Sequence, residues 1–358
     1  MSPHLREYAS MGDTQEKFIL GGELMEKREY VGVDIGKKTL DLACEYTDSK
    51  GRRKAKKRKF DNTFEGFKKL EDFAKRNVGE GVNIHFIMEA TGSYHEKVAA
   101  YLYAQGHRVS VVNPARAKAF GQSIGVRTKT DEKDPLVLVQ FGKALNPDTW
   151  EPPPIEYRSL LIFYRAIEVR KKHRTVLINR LEALRAAKES PEVIIEEDIA
   201  LLERVEESIE RIEKEIRLHL KMHPKVKKEV ELLETIDGIG WITSVLLVAV
   251  MAGGSRFKSA REAASYAGLS VRENQSGNFC GRSRLSKQGP PEIRKALYWP
   301  AITATRCNPD VIDLYNRLIK RGKCKMTAIG AAMRKLVHIA FGVLKHRTKY
   351  APQVGQSN

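Results

Sequence analysis

The spacing of apolar residues divides the chain into a strand-rich first part and a helical remainder. Tyr30-Val-Gly-Val-Asp-Ile-Gly36 is a short run rich in β-branched residues that carries an acid near its end, where Gly36 lets the chain turn. That pattern predicts a buried strand delivering a carboxylate to the rim of a sheet. Thr39–Tyr46 alternates apolar and polar residues, Asp48–Gly51 is a turn, and Arg52–Phe60 completes a meander. Phe64, Phe67, Leu70 and Phe73 recur at helical spacing within about Thr63–Arg76, as the core face of a helix does. Val82–Glu89 is another strand ending in an acid. Thr91-Gly-Ser93 then turns into a helix over Tyr94–Gln105, followed by a strand over Arg108–Val112 and a helix opened by Pro114 and running to about Gly121.

Three strands, helix, strand, helix, strand, helix, with acids at the ends of the first and fourth strands, is the layout of an RNase H-like sheet. Lys129-Thr-Asp-Glu-Lys-Asp134 begins one more helix, because Pro135 is tolerated only near a helix start. Asp131 and Asp134 then lie three residues apart, on one side of the first turn. Asn146-Pro to Glu151-Pro-Pro-Pro154 is a stiff break and the expected domain boundary. From about Glu156 to Leu220 the chain is charged and helical, interrupted near Ser190-Pro191. Ile195, Ile199, Leu202, Val205, Ile209, Ile212 and Ile216 keep a coiled-coil-like seam there. That seam fits either a dimer interface or an intramolecular helix pair. From Val226 onward the pattern stays helical and basic. Leu232–Gly240 followed by Trp241–Val250 has the form of a helix-hairpin-helix whose Gly238 and Gly240 can expose backbone N–H groups to a phosphate. A glycine turn between two packed helices is the plainer reading. The expected organisation is a loose extension over 1–24, an α/β domain over 25–150, a helical spacer over 151–225 and a mostly helical domain over 226–358.

At 358 residues and 42% apolar content the chain is long enough for two or three cores. It contains no uninterrupted apolar run of about 18 residues and shows no signal peptide before the first strand, as expected of a soluble cytoplasmic protein. Cys44, Cys280, Cys307 and Cys324 are scattered, which argues against disulfides and zinc. Sixty-three Lys and Arg against 45 Asp and Glu give a formal charge of +18, which points to a polyanionic partner, nucleic acid above all. Arg52, Arg53, Lys54, Lys56, Lys57, Arg58 and Lys59 concentrate that charge on one hairpin, shaped either to follow a phosphate backbone or simply to stay solvated.

Two constellations carry candidate chemistry. Asp34 alone fits a turn-capping acid as well as a metal ligand, but Asp34, Glu89, Asp131 and Asp134 together can form a cage for divalent cations. Two Mg²⁺ ions about 3.5–4 Å apart need several carboxylates to clamp the attacking and leaving oxygens of a phosphodiester. The second constellation is a Gly-, Ser- and Arg-rich loop of some 17 residues, Glu273–Gly289. A serine attacking a phosphate needs nearby cations, and Arg282, Arg284 and Lys287 can supply them. A phosphate-binding loop without a nucleophile fits as well.

Val31-Gly-Val-Asp-Ile-Gly36, Met88-Glu-Ala-Thr-Gly92, Val112-Asn-Pro114, Lys129-Thr-Asp-x-x-Asp134, the Gly-Ile-Gly turn at 238–240, Tyr266-Ala-Gly-Leu269, Ser276-Gly277 and Ser286-Lys287 occur in one order. As a set they resemble the DEDD transposases of the insertion-sequence "one-ten" family, relatives of the Piv DNA invertase, over Met25 to about Arg347. The resemblance implies a RuvC-like domain, a coiled-coil spacer and a C-terminal transposase domain. It also implies that Asp34, Glu89, Asp131 and Asp134 hold Mg²⁺ (Mn²⁺ as a substitute) and that Ser276 is the nucleophile; Ser283 and Ser286, in the same loop, are the fallbacks. It further implies donor and target DNA as substrates, an element-encoded bridge RNA as guide, and a dimer that assembles to a tetramer with a site composite between subunits. Pro135 stands where the family usually has Ala, a departure that bears on the helix around Asp134. The expected function is therefore a metal-assisted transposase or site-specific recombinase. The alternatives are a RuvC-like endonuclease using water, and a non-catalytic nucleic-acid-binding protein.

Overall fold

The computed structural model describes residues 18–20, 23–25, 28–47, 52–79, 82–90, 92–125, 134–272, 275–276, 279–280 and 284–353, in two units, Met1–Pro152 and Pro153–Asn358. The α/β plus α class expected from the patterning is what they form. In the first unit, β1 (Phe18–Leu20) and β2 (Glu23–Met25) pair antiparallel, so part of the stretch expected to be a loose extension carries a ladder of its own. Five strands make the main sheet: β3 (Arg28–Ile35), β4 (Thr39–Thr47), β5 (Arg53–Asp61), β6 (Asn83–Glu89) and β7 (Arg108–Val112). Their order is β5-β4-β3-β6-β7; the first three in sequence form the antiparallel meander, and β6 and β7 add in parallel. Parallel neighbours need crossovers, which α1 (Phe64–Val78) and α2 (Glu96–Ala104) provide.

Successive residues of β3 point to opposite faces. Val31, Val33 and Ile35 pack with Phe67, Leu70 and Ala74 of α1 and with Val98 and Leu102 of α2. The other face is covered by α3 (Pro114–Ser123) and α4 (Asp134–Leu145), where Ala117, Leu138 and Phe141 meet Ile87 and Val112. Both sheet edges are protected against stray pairing. Along β7 the chain beyond α4 returns, the Trp150 N–H donating to the Val109 carbonyl at 2.6 Å and the Ser110 hydroxyl to that of Asp148 at 2.7 Å. Along β5 the protection is charge.

Ser110 also meets His85 Nε2 at 2.8 Å, and His85 is fully buried. Burial first, then Arg108 and Arg28, push the imidazole down from its ordinary 6.5 to about 4. A base with a depressed pKa stabilises the fold fully above its unfolded pKa and loses that contribution as pH falls toward its folded value. Urea unfolding should therefore reveal a loss of roughly 3 kcal/mol from this residue between pH 6.5 and 4. His85→Gln, which cannot take up the proton, should flatten the slope in that window. An unchanged slope in the variant would refute the assignment.

The second unit begins with α5 (Ile155–Ala186) and α6 (Glu192–Met222), folded antiparallel about the Ser190-Pro191 bend. Arg180 pairs with the buried carboxylate of Asp198 at 2.9 Å, and Arg170 donates to Ser208 Oγ at 2.7 Å. The seam from Ile195 to Ile216 is half-buried or buried throughout, with Ile209 and Ile216 deepest. At the base of the pair Tyr157, Leu160, Tyr164, Ile167, Ile216 and Leu220 share one core with the helices that follow. Those are α7 (Pro224–Glu234), α8 (Trp241–Met251), α9 (Ala260–Tyr266), α10 (Pro291–Cys307), α11 (Pro309–Lys320) and α12 (Lys325–His346). The fully buried Glu229 of α7 accepts from the Tyr157 hydroxyl at 2.9 Å and pairs with Arg347. A buried carboxylate is tolerated when it is paired in this way. By length and composition α12 is apolar enough to cross a membrane; in the unit its apolar face fills the core with Leu336, Val337, Ala340 and Leu344.

Candidate functional site

Register determines which acids meet. In the β3–β4 ladder Asp34 lies directly opposite Asp41, and Asp41 in turn lies opposite Lys59 of β5. In the β3–β6 ladder Val33 lies beside Met88, so the next residues along, Asp34 and Glu89, fall side by side at the end of β6. Lys59, Asp41, Asp34 and Glu89 thus form a row across the strand ends, on the face opposite Val33, Ile35 and Met88. Asp34 is half-buried, and its Oδ1 accepts from the Ile35 N–H at 3.0 Å. The turn after β3 is closed by the Gly36 N–H to the Thr39 carbonyl at 2.8 Å and by the Asn62 amide donating to the Gly36 carbonyl at 3.0 Å. Asp41 pairs with Lys59 at 3.5 Å. Sequence reasoning missed Asp41; its signal was the alternation within Thr39-Leu-Asp-Leu once the hairpin register is known.

The α4 helix runs over this face antiparallel to β3. At its far end Asn146 Oδ1 accepts from Arg28 Nη1 and the Tyr30 hydroxyl, both at 3.1 Å. Midway, a Cβ on Gly142 would come within 2.6 Å of the Tyr30 ring. At its start, a Cβ on Gly32 would overlap the Pro135 carbonyl. Gly32 is two residues before Asp34 on the same face, so its bare backbone is what lets the first turn of α4 settle beside the acids. Pro135 sits in that first turn, where its missing N–H costs nothing. Gly32→Ala should cost about 1–3 kcal/mol of stability. Denaturation midpoints of variant and parent test this, and an unchanged midpoint would sink it.

The residues suit a hard divalent cation in kind: carboxylate oxygens on one face at the ends of adjacent strands. Among the described residues no three His, Cys, Asp or Glu side chains gather closely enough to hold a metal ion. Asp131 and the side chain of Asp134 lie outside the described residues.

Among its described residues, the serine segment in the second unit pairs into short ladders where a long loop was expected. β8 (Val271–Arg272) pairs with β11 (Arg284–Leu285), and β9 (Gln275–Ser276) pairs with β10 (Phe279–Cys280). Ser276 is the last ladder residue before Gly277-Asn278, dipeptide chemistry suited to a tight hairpin turn. Arg272 and Arg284 are exposed and directly opposite one another. Like charges so placed repel unless an anion lies between them. Arg272 is another residue that sequence reasoning passed over. The base of the hairpin is firm: the Ser286 N–H donates to the Ser270 carbonyl at 2.8 Å and the Lys287 N–H to that of Gly268 at 3.1 Å. Arg294 Nη1 donates to the Ala267 and Gly289 carbonyls at 2.9 and 3.2 Å. Lys287 has a φ of 53° and Gly268 one of 70°, so this part of the Tyr266–Leu269 and Ser286–Gly289 motifs is a locked turn. Arg282 and Ser283 lie outside the described residues.

The two glycines of the 238–240 turn do different things. Gly238 has a φ of 97°, and a Cβ there would reach within 2.8 Å of Ala304, so it serves close helix packing. Gly240 is exposed, with open space where a Cβ would be, at the N-terminus of α8. On β5, Lys54, Lys56, Lys57, Arg58 and Lys59 are exposed, as is Arg52 just before it; the Arg53 side chain lies outside the described residues. Arg58 rests over the rings of Phe60 and Phe73, 5.6 Å from each. Beside it lies a pocket of about 270 Å³ to which Lys59, Lys69 and Arg76 also contribute. Lys69 and Arg76 of α1 extend the basic strand into a basic groove.

The sequence profile of the family described as "Transposase IS116/IS110/IS902 family" matches residues 230–316, and that of the DEDD-type IS110 transposases matches residues 31–185. The chain is 32% identical over 329 residues to the pilin gene-inverting protein of Moraxella lacunata, covering 91% of this chain and 99% of that one. It is 31% identical over the same length to the pilin gene-inverting protein of Moraxella bovis. The transposase for insertion sequence element IS1111A of Coxiella burnetii is 21% identical over 234 residues, 59% of this chain and 63% of that protein.

Proposed function

The chain belongs to the IS116/IS110/IS902 family of DNA transposases, and from that premise we propose that it cuts and rejoins DNA through a serine nucleophile working with an acidic cation site. The observation that carries this reading is the docking of α4 over Gly32, which brings the helix start bearing Asp134 to the rim where Asp34 and Glu89 already stand together. The strand order, an antiparallel meander extended by two parallel strands, supports an RNase H- or RuvC-like first unit. Asp34, Glu89, Asp131 and Asp134 would hold Mg²⁺ or Mn²⁺, which supplies Lewis-acid polarisation of the scissile phosphate.

Ser276 attacks that phosphorus from the tip of its hairpin. The new Oγ–P bond forms as the bond to the bridging oxygen breaks. The proton that serine gives up is matched by the one the released hydroxyl takes. Arg272 and Arg284 hold the phosphoryl charge at the hairpin base, and Arg282 and Lys287 flank it. Because the phosphate stays covalently bound, strand exchange proceeds without free ends. The exposed cations of β5 and the N-terminus of α8 at Gly240 track the phosphates of donor DNA, target DNA and a structured guide RNA. Assembly as a dimer of dimers lets the acids of one protomer serve the serine of another. In a cell such a protein acts in the cytoplasm, on the nucleoid.

Denaturing quench of a reaction with cognate DNA and Mg²⁺ tests the chemistry. The expected result is a protein–DNA adduct whose peptide map ends on Ser276. Nicked DNA with no adduct would overturn the serine mechanism in favour of a RuvC-like endonuclease using water. An adduct formed on Ser276→Ala would move the role to Ser283 or Ser286.

A further inference from the structure

The chain has three tryptophans, and two of them are packed. Trp150 stands edge-on to Tyr103 with ring centroids 6.4 Å apart, and Trp241 lies under the Arg217 guanidinium at 4.4 Å. Trp299, on α10, is 70% exposed. An indole left this open forgoes the burial that normally makes tryptophan favourable to fold around. It does not stand alone. Tyr298 packs against it with centroids 5.5 Å apart, and the Tyr298 hydroxyl reaches Met326 Sδ at 4.0 Å. Met326, in the first turn of α12, is itself 61% exposed.

The connection into that turn is Lys320-Arg-Gly-Lys-Cys-Lys325, four cations and no acid in six residues, every one exposed. Gly322 takes a φ of 75° there, which lets the chain reverse tightly between α11 and α12 and keeps the cations bunched. An open aromatic and thioether surface beside a compact cationic turn is complementary to a ligand with a flat apolar face and negative charge next to it. A stacked duplex hides its base faces; an unpaired or extruded nucleotide shows one. We infer that Trp299, Met326 and the Lys320–Lys325 turn dock an unstacked nucleobase, the indole and thioether meeting the base and the cations its flanking phosphates.

This site rests on the reading of the protein as one that handles nucleic acid, and it adds a contact the chemistry of cleavage does not require. Every base has a π-face, so the contact is expected to be tolerant of sequence. It is also expected to favour single-stranded or distorted segments over intact duplex, where the base would first have to be unstacked.

The test uses the full-length protein with single-stranded 12-mers of DNA and of RNA of one sequence, and with the corresponding DNA duplex. Trp299→Leu keeps apolar bulk and removes the ring, so it should weaken single-strand binding by about 5-fold or more. Trp299→Phe should recover most of that loss, and duplex binding should change little. Whichever of DNA or RNA shows the larger loss identifies the strand the site serves. Exposed-tryptophan fluorescence should be quenched by the single strands in the parent and lost in Trp299→Leu. Lys320→Gln combined with Lys323→Gln should make the affinity less dependent on salt, by about two phosphate contacts. Equal single-strand affinities for parent and Trp299→Leu, without quenching, would overturn the inference while leaving the function intact. A change in oligomeric state with unaltered nucleic-acid affinity would overturn it too, marking the patch as a protein interface. A parent that binds no nucleic acid at all would instead sink the broader functional reading.

Discussion

Asp34→Asn is expected to lower DNA cleavage by about a thousandfold, since the charge stabilisation lost with one clamping carboxylate amounts to several kcal/mol. The substitution is close to isosteric. The amide oxygen still accepts from the Ile35 N–H, a bond of 3.0 Å in the parent, so the strand end keeps its shape. In the absence of divalent cations the variant should melt slightly higher than the parent. Asp34 stands beside Asp41 and Glu89 in the row across the sheet, and removing one negative charge relieves repulsion among the others. Cleavage of cognate DNA, nucleic-acid affinity and melting temperature with and without Mg²⁺ together check the prediction. Lost cleavage with retained binding and an unreduced melting temperature is the expected pattern; cleavage within a few-fold of the parent would remove Asp34 from the site.

Ser276→Ala is expected to abolish strand transfer and the covalent adduct together, because the substitution removes the attacking oxygen. Folding should be indifferent to it. Ser276 belongs to a two-residue ladder opposite Phe279, and the backbone bonds that hold the ladder do not involve its hydroxyl. The acids and the serine are borne by different units of the chain, which makes a mixing experiment informative. Protein carrying Asp34→Asn mixed with protein carrying Ser276→Ala should regain part of the activity that neither has alone, if one protomer supplies the acids and another the serine. Mixtures as inactive as their components would confine each site to one chain. Retained adduct in Ser276→Ala alone would take the nucleophilic role from this residue.

The elements were largely legible in the sequence because their signals are local. A run rich in β-branched residues marked β3, alternation marked β4, the spacing of Phe67 and Leu70 marked α1, and the seam from Ile195 to Ile216 marked the antiparallel pair of α5 and α6. The serine segment was harder to read. Its ladders are two residues long, and with Gly and Ser between them they leave no periodicity to detect. Gly238 shows a different limit. A glycine between two helices looks the same in sequence whether it faces a phosphate or Ala304, and here it meets Ala304.

By itself the sequence determined which residues could do chemistry: acids at strand ends, a serine in a basic segment, and cations on a hairpin. Only the tertiary structure decided which of them stand together. Asp41 joins Asp34 through the register of a hairpin, and Arg272 opposes Arg284 through that of another. Gly32 matters because a helix some hundred residues later presses its first turn onto that spot. Trp299 stays exposed because, among the described residues, no other element covers that face of α10. Period and propensity are properties of neighbours in the chain, whereas register, close approach and exposure come from which distant segments share a surface.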